Sequence, residues 1–243
     1  MSAYVILCHA RTGSNFLVHG LSQHPMITAH NELFHERAIF LADDEIWDEA
    51  VLHGRDQDRA AFLEQTLARA QTPLIGFKHL LFYDEDIINY VLQDARFKII
   101  LLERANILAQ YSSFKIAHQT NQWTLKQGEV PAQAEKLPWD EVDFASYVTT
   151  YQEAYAQLQQ AIRAAKGDQA DGNWLHLHYT DLLNVATFSH IFDFLGVGPH
   201  PVQMGFIRRQ NSAHTVARFQ QPEQVHAYLQ KQGLLAWEWE GLA

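Results

Sequence analysis

The sequence contains a single cysteine, so it lacks the pair needed for an intrachain disulfide. Cys8 lies in a short apolar run, where we expect a small buried side chain rather than a reactive thiol. Long apolar runs are also missing, and no stretch approaches the roughly 20 residues of a membrane-spanning helix. The first residues carry no basic cluster ahead of the apolar run, so we expect no signal peptide and a soluble, cytoplasmic protein.

Basic residues are scarce. Lys and Arg total 18 against 28 Asp and Glu, which gives a formal net charge of −10. Proteins that bind nucleic acid normally carry a basic face, so this composition excludes nucleic acid as an expected partner. The chain is 47% hydrophobic and 19% charged, which is typical of a folded globular protein. We predict one domain over residues 1–243.

Short apolar runs alternate with helical patterns along the chain. Residues 97–102 are almost continuously apolar, which is typical of a parallel strand covered on both faces. Further strands are predicted at 4–8, 74–78 and 174–177, and helices at 14–23, 84–94, 106–117, 140–165 and 181–195. Strands that alternate with helices predict an α/β fold of three layers, with a central, mainly parallel sheet flanked by helices.

Residues 119–139 interrupt this alternation. The segment is polar, contains Gly128, Pro131 and Pro138, and has no clear periodicity. Loops of this length within a compact domain are usually functional or disordered. We therefore predict a mobile lid at 119–139.

A glycine-containing bend follows the first predicted strand and opens the first predicted helix. Such a bend directs backbone N–H groups towards one point, beside the positive end of a helix, and so favours an anion. The ATP-binding loop of the same general type needs a lysine after its glycine, and this chain has serine there. The candidate anion-binding residues are Arg11, Thr12, Gly13, Ser14 and Asn15.

A second candidate anion site follows the strand at 97–102. Arg104 comes at the strand end, and Ser112 follows eight residues later, with Ser113 as an adjacent alternative. An arginine can hold a phosphate through two parallel hydrogen bonds, and a serine on the following helix can donate a third. The two motifs together resemble the sulfotransferases that use 3'-phosphoadenosine-5'-phosphosulfate (PAPS).

The resemblance implies that the bend binds the 5'-phosphosulfate of PAPS and that Arg104 and Ser112 bind its 3'-phosphate. Further segments resemble the family in the expected order, namely 23–34, 76–78, 179–182, 192–197 and 208–211. Within the last of these, Arg208 and Arg209 correspond to a basic segment that reaches the donor in many members. The P-loop-like sulfotransferase fold is implied over roughly residues 4–212.

The family resemblance also implies a transfer mechanism. Sulfuryl transfer to a hydroxyl needs an electrostatic clamp on the leaving phosphate, a role that we assign to Arg11. It also needs a base, for which Glu32 is the first candidate and His79 the competitor. Lys78 is expected to assist at the sulfuryl group.

Other functions stay open on sequence alone. A P-loop kinase of nucleotides or small molecules and a non-catalytic module that binds PAPS, or its product adenosine 3',5'-bisphosphate (PAP), are the alternatives. The acceptor could be a carbohydrate, lipid or small molecule. The sequence does not indicate the oligomeric state. His176 and His178 share a predicted strand face that could seat a metal, but no third ligand is evident, so no metal is expected.

Overall fold

The computed structural model describes residues 2–205 and 210–240 of the 243-residue chain. The helices and strands, in chain order, are β1 (Ser2–Cys8), α1 (Ser14–Ser22), β2 (Ile27–Glu32), β3 (Ile39–Phe40), β4 (Glu45–Ile46), α2 (Glu49–Gln57), α3 (Arg59–Ala68), β5 (Leu74–Leu80), α4 (Glu85–Gln93), β6 (Phe97–Glu103), α5 (Ile107–Thr120), α6 (Glu141–Lys166), β7 (Trp174–His178), α7 (Ala186–Leu195) and α8 (Pro222–Gln232).

The main sheet has five parallel strands in the order β2-β5-β1-β6-β7. β1 lies at its centre and is buried from Ala3 onwards. Its apolar side chains point alternately to the two faces, and both faces are covered, which explains the unbroken apolar run in the sequence. The short strands β3 and β4 form a separate antiparallel pair.

One apolar cluster covers each face of the sheet. Leu17 of α1 and Phe192 of α7 belong to the same cluster as Ile6 of β1. The other cluster contains Val5 of β1 together with side chains from α3, α4, α5, α6 and α8. Burial of these side chains is the main force that holds the helices on the sheet. The three-layer α/β prediction, with a central parallel sheet between helices, is therefore confirmed.

The helix predicted at 181–195 is interrupted. Asp181–Leu183 form a short 3-10 turn, and α7 begins only at Ala186. The reason is Asn184, whose side-chain oxygen accepts a hydrogen bond of 3.0 Å from the backbone N–H of Ala186. Asparagine competes in this way with the helical hydrogen-bond ladder, so the regular helix starts after it.

The carboxyl ends of the parallel strands meet at one edge of the sheet. The bend after β1, Glu32 at the end of β2 and Arg104 after β6 all lie along this edge. Ligands of open α/β sheets bind in the crevice outside these strand ends. Among residues 2–205 and 210–240, none of the helices combines the length and the apolarity needed to cross a membrane.

Candidate functional site

The bend between β1 and α1 has an unusual backbone. Arg11 has a φ of 66° and Gly13 a φ of 87°, so both lie in the left-handed region that side chains disfavour. A Cβ at residue 13 would also lie 2.7 Å from the ring of Tyr179. The Thr12 hydroxyl fixes the turn by donating to the carbonyl of His9 at 2.8 Å. Glycine at position 13 is thus needed for both its conformation and its lack of a side chain.

The bend leaves the first turn of α1 open to an anion. Gly13 is the residue that caps the helix, and no side-chain hydrogen bond caps it among the described residues. The N–H groups of a first helical turn have no partner within the helix. Ser14 and Asn15 occupy that turn, where the helix dipole favours negative charge.

Arg104 lies directly against the bend. One of its guanidinium nitrogens donates to the carbonyl of Arg11 at 2.7 Å. The guanidinium is also 4.5 Å from the ring centre of Tyr179, the same ring that limits space at Gly13. The ends of the neighbouring strands β1 and β6 therefore bring the two candidate anion-binding motifs into one site.

The two arginines make this site electrostatically suited to an anion. The pKa of Arg11 is lowered to about 10, chiefly by burial and also by repulsion from the positive charge of Arg104. Arg11 donates to three neutral oxygens, on Ser113 at 3.0 Å, on the backbone of Trp123 and on the side chain of Gln210. An anion between the guanidinium groups would relieve their repulsion.

Arg104 holds a carboxylate from the end of the described chain. Its Nε donates to Glu240 at 2.7 Å, and a second nitrogen of the fork bonds the other carboxylate oxygen. Both side chains are buried. The backbone N–H of Glu240 donates to Ala213 at 3.0 Å, and Asn106 donates to Trp237 at 2.9 Å, which anchors this terminal segment. The Glu240 carboxylate thus accepts two hydrogen bonds from the Arg104 guanidinium, and an arginine can bind a phosphate in the same bidentate way.

The two adjacent serines of α5 have different surroundings. Ser112 is fully buried, donates to the carbonyl of Leu108 at 2.8 Å and accepts from Arg218 at 2.8 Å. Ser113 accepts from Arg11 at 3.0 Å and from Asn211 at 3.1 Å. Ser113 is therefore the serine that contacts the bend, whereas the predicted Ser112 is engaged within its own helix and by Arg218.

A second group of polar side chains begins at Asn15. The Lys78 ammonium donates to the side-chain oxygen of Asn15 and forms an ion pair of 2.7 Å with Glu32. The Tyr83 hydroxyl donates to the other oxygen of Glu32 at 2.9 Å. Burial opposes ionisation of Glu32, but the charge of Lys78 and these hydrogen bonds outweigh it, so the pKa of Glu32 falls below its ordinary value. Glu32 is a carboxylate at neutral pH.

His79 contacts this group through the ring of Tyr83, but its hydrogen bond is to the backbone of Asp84. It is 1% exposed, and its Nε2 lies 3.2 Å from the carbonyl of Asp84. Its ring packs among those of Phe34, Phe77 and Tyr83. Because side chains alternate along a strand, His79 points to the opposite face of β5 from Lys78. Glu32, and not His79, has the hydrogen-bonded link to the bend through Lys78 and Asn15, and the choice between the two bases stays a prediction.

The segment after α5 lies over the bend. Besides the contact of Trp123 with Arg11, the Thr124 hydroxyl accepts from Asn15 at 2.7 Å. Gln210 donates to the carbonyl of Gln122 at 3.2 Å, which joins this segment to residues near the end of the chain. The lid predicted at 119–139 thus has its first residues on the candidate site, and its mobility stays a prediction.

Similarity to known proteins is found at the level of structure. No family model matches the sequence, and no curated protein matches it either. The crystal structure of a sulfotransferase from Alicyclobacillus acidocaldarius superimposes with a TM-score of 0.57, covering 98% of each chain at 16% identity. The chain has the fold of a sulfotransferase. Mouse sulfotransferase SULT7A1, complexed with PAP, matches with a TM-score of 0.44 and 13% identity over 91% of this chain and 63% of its own.

Within this sulfotransferase fold, most of the predicted residues fall into two neighbouring groups. The bend residues gather with Arg104 and Ser113, and Asn15 links them to Glu32 and Lys78. Arg208 and Arg209 lie outside the described residues. Glu240 was not predicted as a site residue, because it contacts Arg104 from 136 positions away and no local sequence pattern indicates that contact.

Proposed function

We propose that this chain is a PAPS-dependent sulfotransferase, which moves a sulfuryl group from PAPS to the hydroxyl of a carbohydrate, lipid or small molecule. The observation that carries the proposal is the hydrogen bond of 2.7 Å between the Arg104 guanidinium and the carbonyl of Arg11. It joins the two candidate anion-binding motifs, and a nucleotide with phosphates on both its 5' and 3' oxygens would need two such motifs side by side. The sulfotransferase fold supports the same function.

In the proposed reaction, Arg11 and the backbone N–H groups of residues 12–15 bind the 5'-phosphosulfate at the start of α1. Arg104 binds the 3'-phosphate, with Ser113 or Ser112 beside it. The acceptor oxygen forms a bond to sulfur as the bond between sulfur and the 5'-phosphate oxygen breaks, with the two oxygens in line. The developing negative charge on the leaving phosphate is balanced by Arg11, and PAP is the product.

The proton of the acceptor hydroxyl passes to Glu32. This carboxylate is ionised at neutral pH and is linked to the bend through Lys78 and Asn15. We infer that Lys78 contacts the sulfuryl oxygens when the donor is bound, because its present partner Asn15 lies in the anion-binding turn. Glu32 would then act on the acceptor hydroxyl, and Lys78 would act on the sulfuryl group of the donor.

Binding of PAP is the first test. We expect PAP to raise the melting temperature by roughly 5 °C or more at a hundredfold excess over its Kd, as ligand binding to the folded state does. Adenosine 5'-monophosphate, which lacks the 3'-phosphate, should shift it much less, and MgATP should have little effect. The measurement is differential scanning fluorimetry. A stabilisation by MgATP without one by PAP would favour a kinase and overturn the proposal.

Transfer is the second part of this test. Radiolabelled PAPS, offered with a panel of sugar, phenol and lipid hydroxyl acceptors, should give labelled product. PAP binding without transfer to any of them would support the non-catalytic module instead.

Substitution of Glu240 tests whether the donor must displace this carboxylate. In Glu240→Gln the amide keeps a hydrogen bond to Arg104 but loses the charge that competes with the 3'-phosphate. We expect PAP to bind roughly tenfold more tightly to the variant, which corresponds to about 1.4 kcal/mol. Isothermal titration calorimetry measures the affinity. Glu238→Gln, two residues away and paired with His226, is the matched control. Equal affinities for the parent and Glu240→Gln would contradict the prediction.

A further inference from the structure

Two histidines of the edge strand β7 and a glutamate of β6 form a cluster on one face of the sheet. Glu103 pairs in register with His178, and Leu101 pairs with His176. Residues paired across parallel strands, and residues two apart along a strand, share a face. The sequence shows the two histidines but not the third residue, which comes from the register between β6 and β7.

The distances within this cluster suit a metal ion. His176 Nε2 lies 3.0 Å from a carboxylate oxygen of Glu103, and the rings of His176 and His178 are 4.8 Å apart between centres. One possible ligand atom from each residue lies within 4.8 Å of the others. Ligand atoms at about 2 Å around a tetrahedral zinc ion are roughly 3.3 Å apart, so side-chain adjustments of about 1 Å would close the site.

His178 has an unsatisfied nitrogen. Its Nδ1 is buried and has no hydrogen-bond partner among the described residues. Buried polar atoms without a partner are rare because their desolvation is not compensated. This nitrogen is a candidate ligand atom, and a bound ion would supply the partner that it lacks.

We propose that Glu103, His176 and His178 bind a divalent transition metal ion, with Zn²⁺ as the best match. Two imidazoles and one carboxylate form a donor set that zinc sites use, with a water in the fourth position. Imidazole ligands favour Zn²⁺, Ni²⁺ and Cu²⁺, whereas Mg²⁺ and Ca²⁺ prefer oxygen ligands alone. The proposal is independent of the proposed sulfuryl transfer.

The position of the cluster gives the ion a structural role. It would link β7, at the edge of the sheet, to the end of β6. Tyr179 directly follows His178 and donates its backbone N–H to the carbonyl of Glu103 at 2.8 Å, and Arg104 directly follows Glu103. The metal would therefore fix the strand ends from which Tyr179 and Arg104 enter the anion site, without itself contacting a bound nucleotide.

Metal titration of the full chain tests the proposal. After dialysis against a chelator, isothermal titration calorimetry with Zn²⁺ should give one tight site per chain, and Mg²⁺ should give none. The His176→Ala/His178→Ala double variant should lose that site. Co²⁺ in place of Zn²⁺ should give the strong visible absorption of a tetrahedral complex, which also disappears in the double variant.

Controls separate this site from the other histidines, since the chain has 14. His190 is exposed on α7, and His190→Ala should bind Zn²⁺ like the parent. Glu103→Gln keeps the size of the side chain and should weaken Zn²⁺ binding at least tenfold while the chain stays folded by circular dichroism. Absence of a stoichiometric site in the parent, or its persistence in the folded double variant, would overturn the proposal.

Discussion

An Arg104→Ala variant is expected to bind PAP at least about a hundredfold more weakly than the parent chain. Hydrogen bonds to charged groups contribute about 1.5–3 kcal/mol each, and the guanidinium fork can make two of them to the 3'-phosphate. Loss of both amounts to roughly 3–6 kcal/mol, or about two to four powers of ten in Kd. Isothermal titration calorimetry with PAP measures the change.

The single variant also disturbs the fold, because it removes the ion pair between Arg104 and the buried Glu240 carboxylate. Breaking one side of a buried ion pair costs about 3–5 kcal/mol. The cleaner comparison is therefore Arg104→Ala/Glu240→Gln against Glu240→Gln, since both carry a neutral side chain at 240. We expect the hundredfold loss of PAP affinity between these two variants, which isolates the contribution of the guanidinium.

The matched control for Arg104 is Arg96, at the other end of the same strand. Arg96 precedes β6 and pairs at the surface with Glu64 and Asp94, far along the strand from the bend. Arg96→Ala should leave PAP affinity unchanged. If the folded double variant at 104 and 240 bound PAP as well as Glu240→Gln does, the assignment of the 3'-phosphate to Arg104 would be wrong.

The fold was largely predictable because the central strands are buried on both faces. β1 and β6 then have to be apolar at successive positions, and this is visible in the sequence. β2 lies at the edge of the sheet, and its sequence ITAHNE has no such run. Its register with β5 also shifts between His30 and Glu32. The strand order itself depends on packing between distant segments, which local patterns do not encode.

The bend was predictable from adjacent residues, and the family resemblance supplied Glu32, Lys78 and Arg104, but the contacts between distant residues were not predictable. The bend lies within five consecutive positions, and its glycine marks the turn. The pair Glu32 and Lys78 depends on the register of β2 with β5, and the pair Arg104 and Glu240 joins positions 136 apart. The choice between Ser112 and Ser113 depends on the rotation of α5, since one side chain points to Arg218 and the other to Arg11.

A Glu32→Gln variant is expected to retain PAP binding and to lose transfer by a factor of about 100 to 10 000, the usual contribution of a general base. Glutamine keeps one oxygen that accepts from Lys78, and its NH2 group can donate to the Tyr83 hydroxyl, so the site should stay assembled. Glutamine is not basic, however, so it cannot take up the proton of the acceptor hydroxyl. Labelled transfer from PAPS gives the rate, and calorimetry with PAP gives the donor affinity for the same preparation. Glu36→Gln, an exposed neighbour, is the matched control.

Comparison with His79→Ala decides between the two candidate bases. A pH profile would not separate them, because burial lowers the pKa of His79 to about 4 and Lys78 holds the pKa of Glu32 below its ordinary value. Either base would lose activity only as the pH falls through the acidic range. The position of His79 in the core predicts that His79→Ala changes stability, by opening a cavity among Phe34 and Phe77, and leaves transfer by the folded fraction largely intact. Full transfer by Glu32→Gln together with loss of transfer in folded His79→Ala would reassign the base to His79.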